Sequence, residues 1–154
     1  MSGFRELYEA DLAAYGSSRI PLWTRCFHYY LRKTQTCRNK VLKTWYHLCF
    51  RIVSRKHRME ISYGAAIGKG FCLPVPFTLT VNSRAVIGEY VTMGKNVTIG
   101  KQNRGALEGV PTIGNRVMIG DNAVIVGKIT IGDNAVILPN AYVNRDVPAG
   151  ENRV

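Results

Sequence analysis

From Ile87 onward an aliphatic side chain returns at every sixth position: Ile87, Met93 and Ile99, then Ile113, Ile119, Ile125, Ile131, Ile137 and Val143. A glycine follows it at Gly88, Gly94, Gly100, Gly114, Gly120 and Gly132, and small or aliphatic residues such as Val91, Val97, Val117, Ala123, Ile129 and Ala135 recur within the hexads. A period of six fits neither a helix nor a simple strand alternation. It predicts strands of two or three residues joined by tight turns, three to a coil, stacked into a triangular solenoid around a continuous aliphatic column. Gly or Asn after the aliphatic position, as in GKNV, GNRV and GDNA, is expected to supply the backbone freedom of the corners.

The register breaks twice. Ile61, Ile67 and Leu73 keep the spacing, but Val81 and Ile87 stand two residues out of phase, so a slip falls within FCLPVPFTLTVNSRAVIG, residues 71–88. Between Ile99 and Ile113 the run GKQNRGALEGVPT replaces a clean hexad and predicts a polar loop protruding near 101–112. Such loops commonly carry binding function.

Residues 1–59 lack the hexad and read as an α-helical segment ahead of a solenoid domain spanning 60–154. Phe4, Leu7, Tyr8 and Leu12 mark one face of a first helix that ends near Gly16, and a second helix is expected after Pro21. A third runs through Val41, Leu42, Trp45, Leu48, Cys49 and Ile52, an apolar face that needs a neighbour.

Charge adds a partner class. The chain of 154 residues has a formal net charge of +11, and residues 1–60 hold 12 of its 21 Lys and Arg against 4 of its 10 acids. Aromatics Trp23, Phe27, Tyr29, Tyr30, Trp45, Tyr46 and Phe50 alternate there with Arg25, Arg32, Lys33, Lys43 and Arg51. The pattern predicts helix packing with a solvated basic face, with a peripheral membrane contact as the alternative. No recognised nucleic-acid motif accompanies it. Cys26, Cys37, Cys49 and Cys72 form no CxxC pair, so reduced thiols and no metal site are expected. The N-terminus has acids where an export signal needs a basic start and an apolar run, and no segment reads as a membrane span; a cytoplasmic protein is expected.

Helices leading into a hexad solenoid, with EISYGAAIGKG, then AVIGEYVTMGKNVTIGKQNRG, then GVPTIGNRVMIGDNAVIVGKITIGDNAVILPNAYVNRDVPAG, resemble the serine acetyltransferases and their capsular-polysaccharide relatives among the hexapeptide-repeat acyltransferases. The resemblance covers residues 60–150, and FRELYEADLAAYG looks like that family's first helix. It implies a left-handed parallel β-helix, a homotrimer with sites between subunits, and transfer of acetyl from acetyl-CoA to a hydroxyl. The family's chemistry uses a histidine as general base, oriented by a carboxylate.

The position where the resemblance expects that histidine holds Val75. His28, His47 and His57 all precede the solenoid. Glu60 matches the family's orienting acid, Lys95 falls near a second histidine position, and Val110 falls where serine-specific members carry another. Glu60, with Lys95 or His57 as substitute base, is therefore the catalytic expectation. For acetyl-CoA, the resemblance points to Thr98, Gly100, Lys101, Asp121, Lys128 and Pro139, with Arg104 a further phosphate partner. The loop GKQNRGALEGVPTIG looks like the polysaccharide branch and favours a sugar hydroxyl over free serine. Two functions stay open: an O-acetyltransferase with a replacement base, and a silent relative that binds CoA or a partner in a surface-polysaccharide assembly.

Overall fold

The structure, a computed structural model, describes residues 3–62 and 64–152. Three helices come first: α1 (Phe4–Ala13), α2 (Leu22–Thr36) and α3 (Lys40–Lys56). Pro21 sits at the start of α2, where a missing N–H costs nothing. The Asn39 side-chain oxygen caps α3 by accepting from the Val41 and Leu42 amides at 3.0 and 3.2 Å.

The solenoid follows in coils. The first holds β1 (Glu60–Ile61) and β2 (Ala66–Ile67). The second holds β3 (Thr80–Val81), β4 (Val86–Ile87) and β5 (Thr92–Met93). The third holds β6 (Thr98–Gly100), β7 (Thr112–Ile113) and β8 (Met118–Ile119). The fourth holds β9 (Val124–Val126), β10 (Thr130–Ile131) and β11 (Val136–Ile137), and β12 (Tyr142–Val143) begins a fifth. Parallel pairing between coils makes three faces: β1-β3-β6-β9-β12, β2-β4-β7-β10 and β5-β8-β11. The architecture is a left-handed parallel β-helix preceded by helices.

The aliphatic residue of each hexad points inward. Ile61, Ile67, Val81, Ile87, Met93, Ile99, Ile113, Ile119, Ile125, Ile131, Ile137 and Val143 are buried, while the residue before each points outward. Burial of each such side chain contributes about 1.5–3 kcal/mol. Phe27 and Leu31 of α2 and Phe50 of α3 extend the same core beneath the first coil.

Register locates both interruptions. Glu60 pairs with Thr80, Thr80 with Thr98, Thr98 with Val124 and Val124 with Tyr142, spacings of 20, 18, 26 and 18 residues. Two extra residues therefore fall in the first coil, within the segment 73–79 between Cys72 and β3. Eight more sit between β6 and β7. That insertion folds as a short hairpin, with Gln102 and Gly109 exchanging backbone hydrogen bonds at 2.9 and 3.0 Å, and the Lys128 amide donates to the Leu107 carbonyl at 2.9 Å.

The corners correct one expectation. Positive φ falls three positions after the buried aliphatic, at Gly70, Tyr90, Asn96, Arg116, Asn122, Asn134 and Asn140, whereas the glycine next to the aliphatic is not in that region. That glycine is needed for the close approach of coils. A Cβ on Gly120 would lie 2.5 Å from the Pro139 nitrogen, inside any tolerable contact. Gly120→Ala is expected to cost about 1–3 kcal/mol, read as a lower urea midpoint. Asn96, Asn122 and Asn140 stack as a ladder of side-chain amides, each step 3.0 Å.

A second correction concerns the helices. Arg32, read from sequence as part of a solvated basic face, is fully buried, and so are Asp11 and His28. Arg32 Nε and Nη2 donate to Asp11 Oδ2 and Oδ1 at 2.7 Å each. The same guanidinium donates to the carbonyls of Ile67 and Gly68 at 2.7 and 2.6 Å. Asp11 Oδ1 also accepts the Phe71 amide at 3.1 Å, and Tyr15 Oη accepts the Leu73 amide at 3.0 Å. One buried polar cluster thus fastens α1 and α2 to the first coil. The predicted apolar face of α3 is reversed as well: Phe50 and Ser54 are buried, and Val41, Leu42, Trp45, Leu48 and Ile52 face solvent.

Candidate functional site

The face built from β1, β3, β6, β9 and β12 organises the expected site residues. Its outward positions run Glu60, Thr80, Thr98, Val124 and Tyr142, stacked by the parallel register. Adjacent strands lie about 4.8 Å apart, so Thr98 stands roughly 10 Å along the face from Glu60. At one edge of this face, where the chain leaves it, are Lys101, Arg104 and Lys128, all exposed. At the opposite edge, where the chain enters, are Lys95, Asp121 and Pro139. Within the chain the expected donor contacts are divided between two edges.

Lys95 and Asp121 meet. Lys95 Nζ lies 3.8 Å from Asp121 Oδ2, and its amide donates to Asp121 Oδ1 at 3.1 Å. A lysine base needs burial or a like charge to release its proton; here its neighbour is a carboxylate and both side chains are half exposed. Val75, 55% exposed between Pro74 and Pro76, lies on this same entry edge.

His57 is placed elsewhere. It ends α3 with its ring stacked on Trp23, centroids 3.6 Å apart and planes 15° from parallel. Its Nε2 is buried without a hydrogen-bond partner among the described residues, and burial, with the charge of Lys56 adding to it, pushes its pKa down. Cys72 is also buried, bridged to Thr92, with its thiol pushed up to about 11 by burial and the nearby Asp11 charge.

Glu60 opens onto a cleft of about 660 Å³ between α3 and the exit edge of the first two coils. His47, Arg51, Ser54 and Arg55 line it from the helix, and Ser62, Gly64 and Ser83 from the coils. His47, Arg51 and Arg55 stand four residues apart, so they share one side of α3. The Ser54 hydroxyl is buried with no hydrogen-bond partner among the described residues. His47 is half-buried, and burial, then the positive charge of Arg51, lowers its pKa below the ordinary value, which favours the neutral ring at pH 7. From its place among helix aromatics this residue reads as a packing or surface histidine. The available signal was the spacing 47, 51, 55 on a helix that ends just before Glu60. Among the described residues no group of three His, Cys, Asp or Glu side chains is placed to hold a metal.

Comparison with known proteins agrees with this fold. Residues 111–145 match the family described as bacterial transferase hexapeptide (six repeats). The match covers 35 of the 154 residues and falls within the third and fourth coils and the start of the fifth. A serine acetyltransferase of Helicobacter pylori (strain ATCC 700392 / 26695) is 35% identical over 96 residues, 62% of this chain and 56% of that protein. The crystal structure of Neisseria gonorrhoeae serine acetyltransferase matches with a TM-score of 0.73 and 28% identity over 95% of this chain and 60% of that one. Entamoeba histolytica serine acetyltransferase 1, solved in complex with L-cysteine, matches with a TM-score of 0.77 and 23% identity over 97% and 62%. Over its solenoid the chain is similar to serine acetyltransferases, and it shares their fold. It spans a little over half the length of the curated relatives it matches.

Proposed function

We propose that this protein is an acetyl-CoA-dependent O-acetyltransferase of the polysaccharide-modifying kind, working as a cytoplasmic homotrimer on a sugar hydroxyl, with His47 supplying the base that Val75 does not. The observation that carries the proposal is the cleft that His47 and Glu60 line together. A neutral imidazole there takes the acceptor's proton as its oxygen attacks the thioester carbonyl; the CoA thiolate leaves and recovers a proton from the imidazolium. Glu60 supports the charged ring and orients it. Arg51, Arg55, Ser62 and Ser83 supply hydrogen-bonding groups for a polar acceptor.

For the donor, the exposed cations Lys101, Arg104 and Lys128 take CoA phosphates, and Thr98 and Gly100 present the strand against which the pantetheine runs. Asp121 and Pro139 belong to the opposite edge, so a trimer groove that sets one subunit's exit edge against its neighbour's entry edge reunites the two sets. Of the two substitute bases expected from sequence, Lys95 is paired with Asp121 and His57 is stacked on Trp23, and neither lines the cleft that His47 shares with Glu60.

The second reading is a silent relative that binds CoA or a partner in a surface-polysaccharide assembly, favoured by the exposed Val75 where the resemblance expects a base. Thiol release from acetyl-CoA, measured with serine and a panel of sugars, separates the two. The enzyme reading expects turnover with at least one sugar and none above background with serine. A silent wild-type chain that gains turnover as Val75→His would overturn it in favour of the second reading.

A further inference from the structure

The outward apolar face of α3 is not covered by any of the described residues. Val41, Trp45, Leu48 and Ile52, at helical spacings of four, three and four, are 79%, 60%, 50% and 64% exposed, and Leu42 flanks them. The opposite side of the same helix, through Phe50 and Ser54, already sits in the core, so this stripe is surplus to folding. An apolar stripe of this length open to water marks an interaction surface.

Charge indicates what covers it. From Leu12 to Met59 the sequence contains no Asp or Glu, and it contains 11 Lys and Arg. Arg32 is consumed by the buried pair with Asp11, and Lys33 lies over the rings of Phe4 and Tyr29. Arg38, Lys40, Lys43, Arg51, Arg55 and Lys56 are all exposed along α3 or next to it. The helix therefore has one apolar face, a tryptophan within it and cations around it, and no acidic residue of its own. No helix among the described residues is long and apolar enough to cross a membrane.

We propose that α3 is a membrane-docking element: it lies flat on an anionic bilayer, with Trp45 and Ile52 in the interface and Arg38 and Lys56 against lipid phosphates. This surface adjoins the His47–Glu60 cleft through Arg51, which also lines the apolar groove beside Trp45. The cleft then opens at the bilayer surface. The docking holds whether or not the protein transfers acetyl groups.

The test is flotation of the full chain with vesicles of phosphatidylcholine alone and of phosphatidylcholine mixed with an equal amount of phosphatidylglycerol. Binding is expected only to the anionic vesicles and is expected to fall as salt rises. Arg38→Gln with Lys56→Gln is expected to weaken it about 30-fold, from roughly a fivefold loss for each cation removed. Trp45→Glu with Ile52→Glu is expected to abolish it without lowering the melting temperature, since neither side chain is in the core. A blue shift in tryptophan emission on adding anionic vesicles, lost in Trp45→Phe while Trp23 remains, places the stripe itself in the lipid. Equal binding to both vesicles, no binding, or an emission shift that survives Trp45→Phe overturns the proposal. So does a change of oligomeric state in Trp45→Glu with Ile52→Glu, measured by light scattering, which assigns the face to a second copy of this chain.

Discussion

Asp11→Ala is expected to destabilise the protein by about 3–5 kcal/mol, because it leaves the Arg32 guanidinium buried without its carboxylate. Both side chains are inaccessible to water, and the paired contacts are 2.7 Å each. The variant removes a further bond, that from the Phe71 amide, and so weakens the hold of α1 on the first coil. Replacing both partners with apolar residues, Asp11→Leu with Arg32→Met, is expected to recover only part of the loss. The guanidinium also satisfies the Ile67 and Gly68 carbonyls, which an apolar side chain cannot do. Urea unfolding followed by circular dichroism measures both. The cluster also sets an acid limit. Burial alone would raise the Asp11 pKa, but hydrogen bonds from His28 and Arg32, with the charges behind them, outweigh it and hold the pKa below 3.8. A depressed carboxylate stabilises the fold above its unfolded pKa, so this contribution is present at neutral pH. It is lost as pH falls from about 4 through the folded value.

His47→Gln is expected to lower kcat by about 10²–10⁴-fold, the range a positioned general base contributes. The KM for acetyl-CoA is expected to change little, because the residues assigned to the donor lie along the solenoid, away from α3. Glutamine keeps hydrogen-bonding capacity but cannot take the proton. The pH profile gives an independent readout. A base works only when neutral, so the rate rises with pH through the His47 pKa and then levels. Since burial and Arg51 lower that pKa, the acid limb is expected below the ordinary histidine value of 6.5. A wild-type rate in His47→Gln, or a limb that does not move in Arg51→Gln, would place the base elsewhere.

The solenoid was legible in the sequence because its rule is local. An aliphatic residue every six positions specifies a strand, a corner and an inward side chain without reference to distant residues, and the two register slips appear as phase errors in the same count. Asp121 and Lys95 carry no such rule. They are 26 positions apart, and only the parallel register brings them together. The helices show the limit of pattern reading most plainly. On α3 the apolar stripe and the buried side differ, because Phe50 was the side chain that fitted beneath the first coil. Arg32 looked like one more surface cation until Asp11, 21 residues earlier, and two carbonyls of the first coil surrounded it.

By itself, then, the sequence determined the repeat, the three helices, the basic excess of the first sixty residues and the absence of a histidine at Val75. The first three are properties of spacing or composition, which do not depend on how the chain closes, and the last is what the family resemblance implies. Only the tertiary structure decided that His47 and Glu60 share a cleft, that Asp11 and Arg32 are interior, and that the apolar face of α3 is left outside. These depend on packing between elements far apart in the chain, where volume and the satisfaction of buried polar groups select one arrangement from several that the local pattern permits.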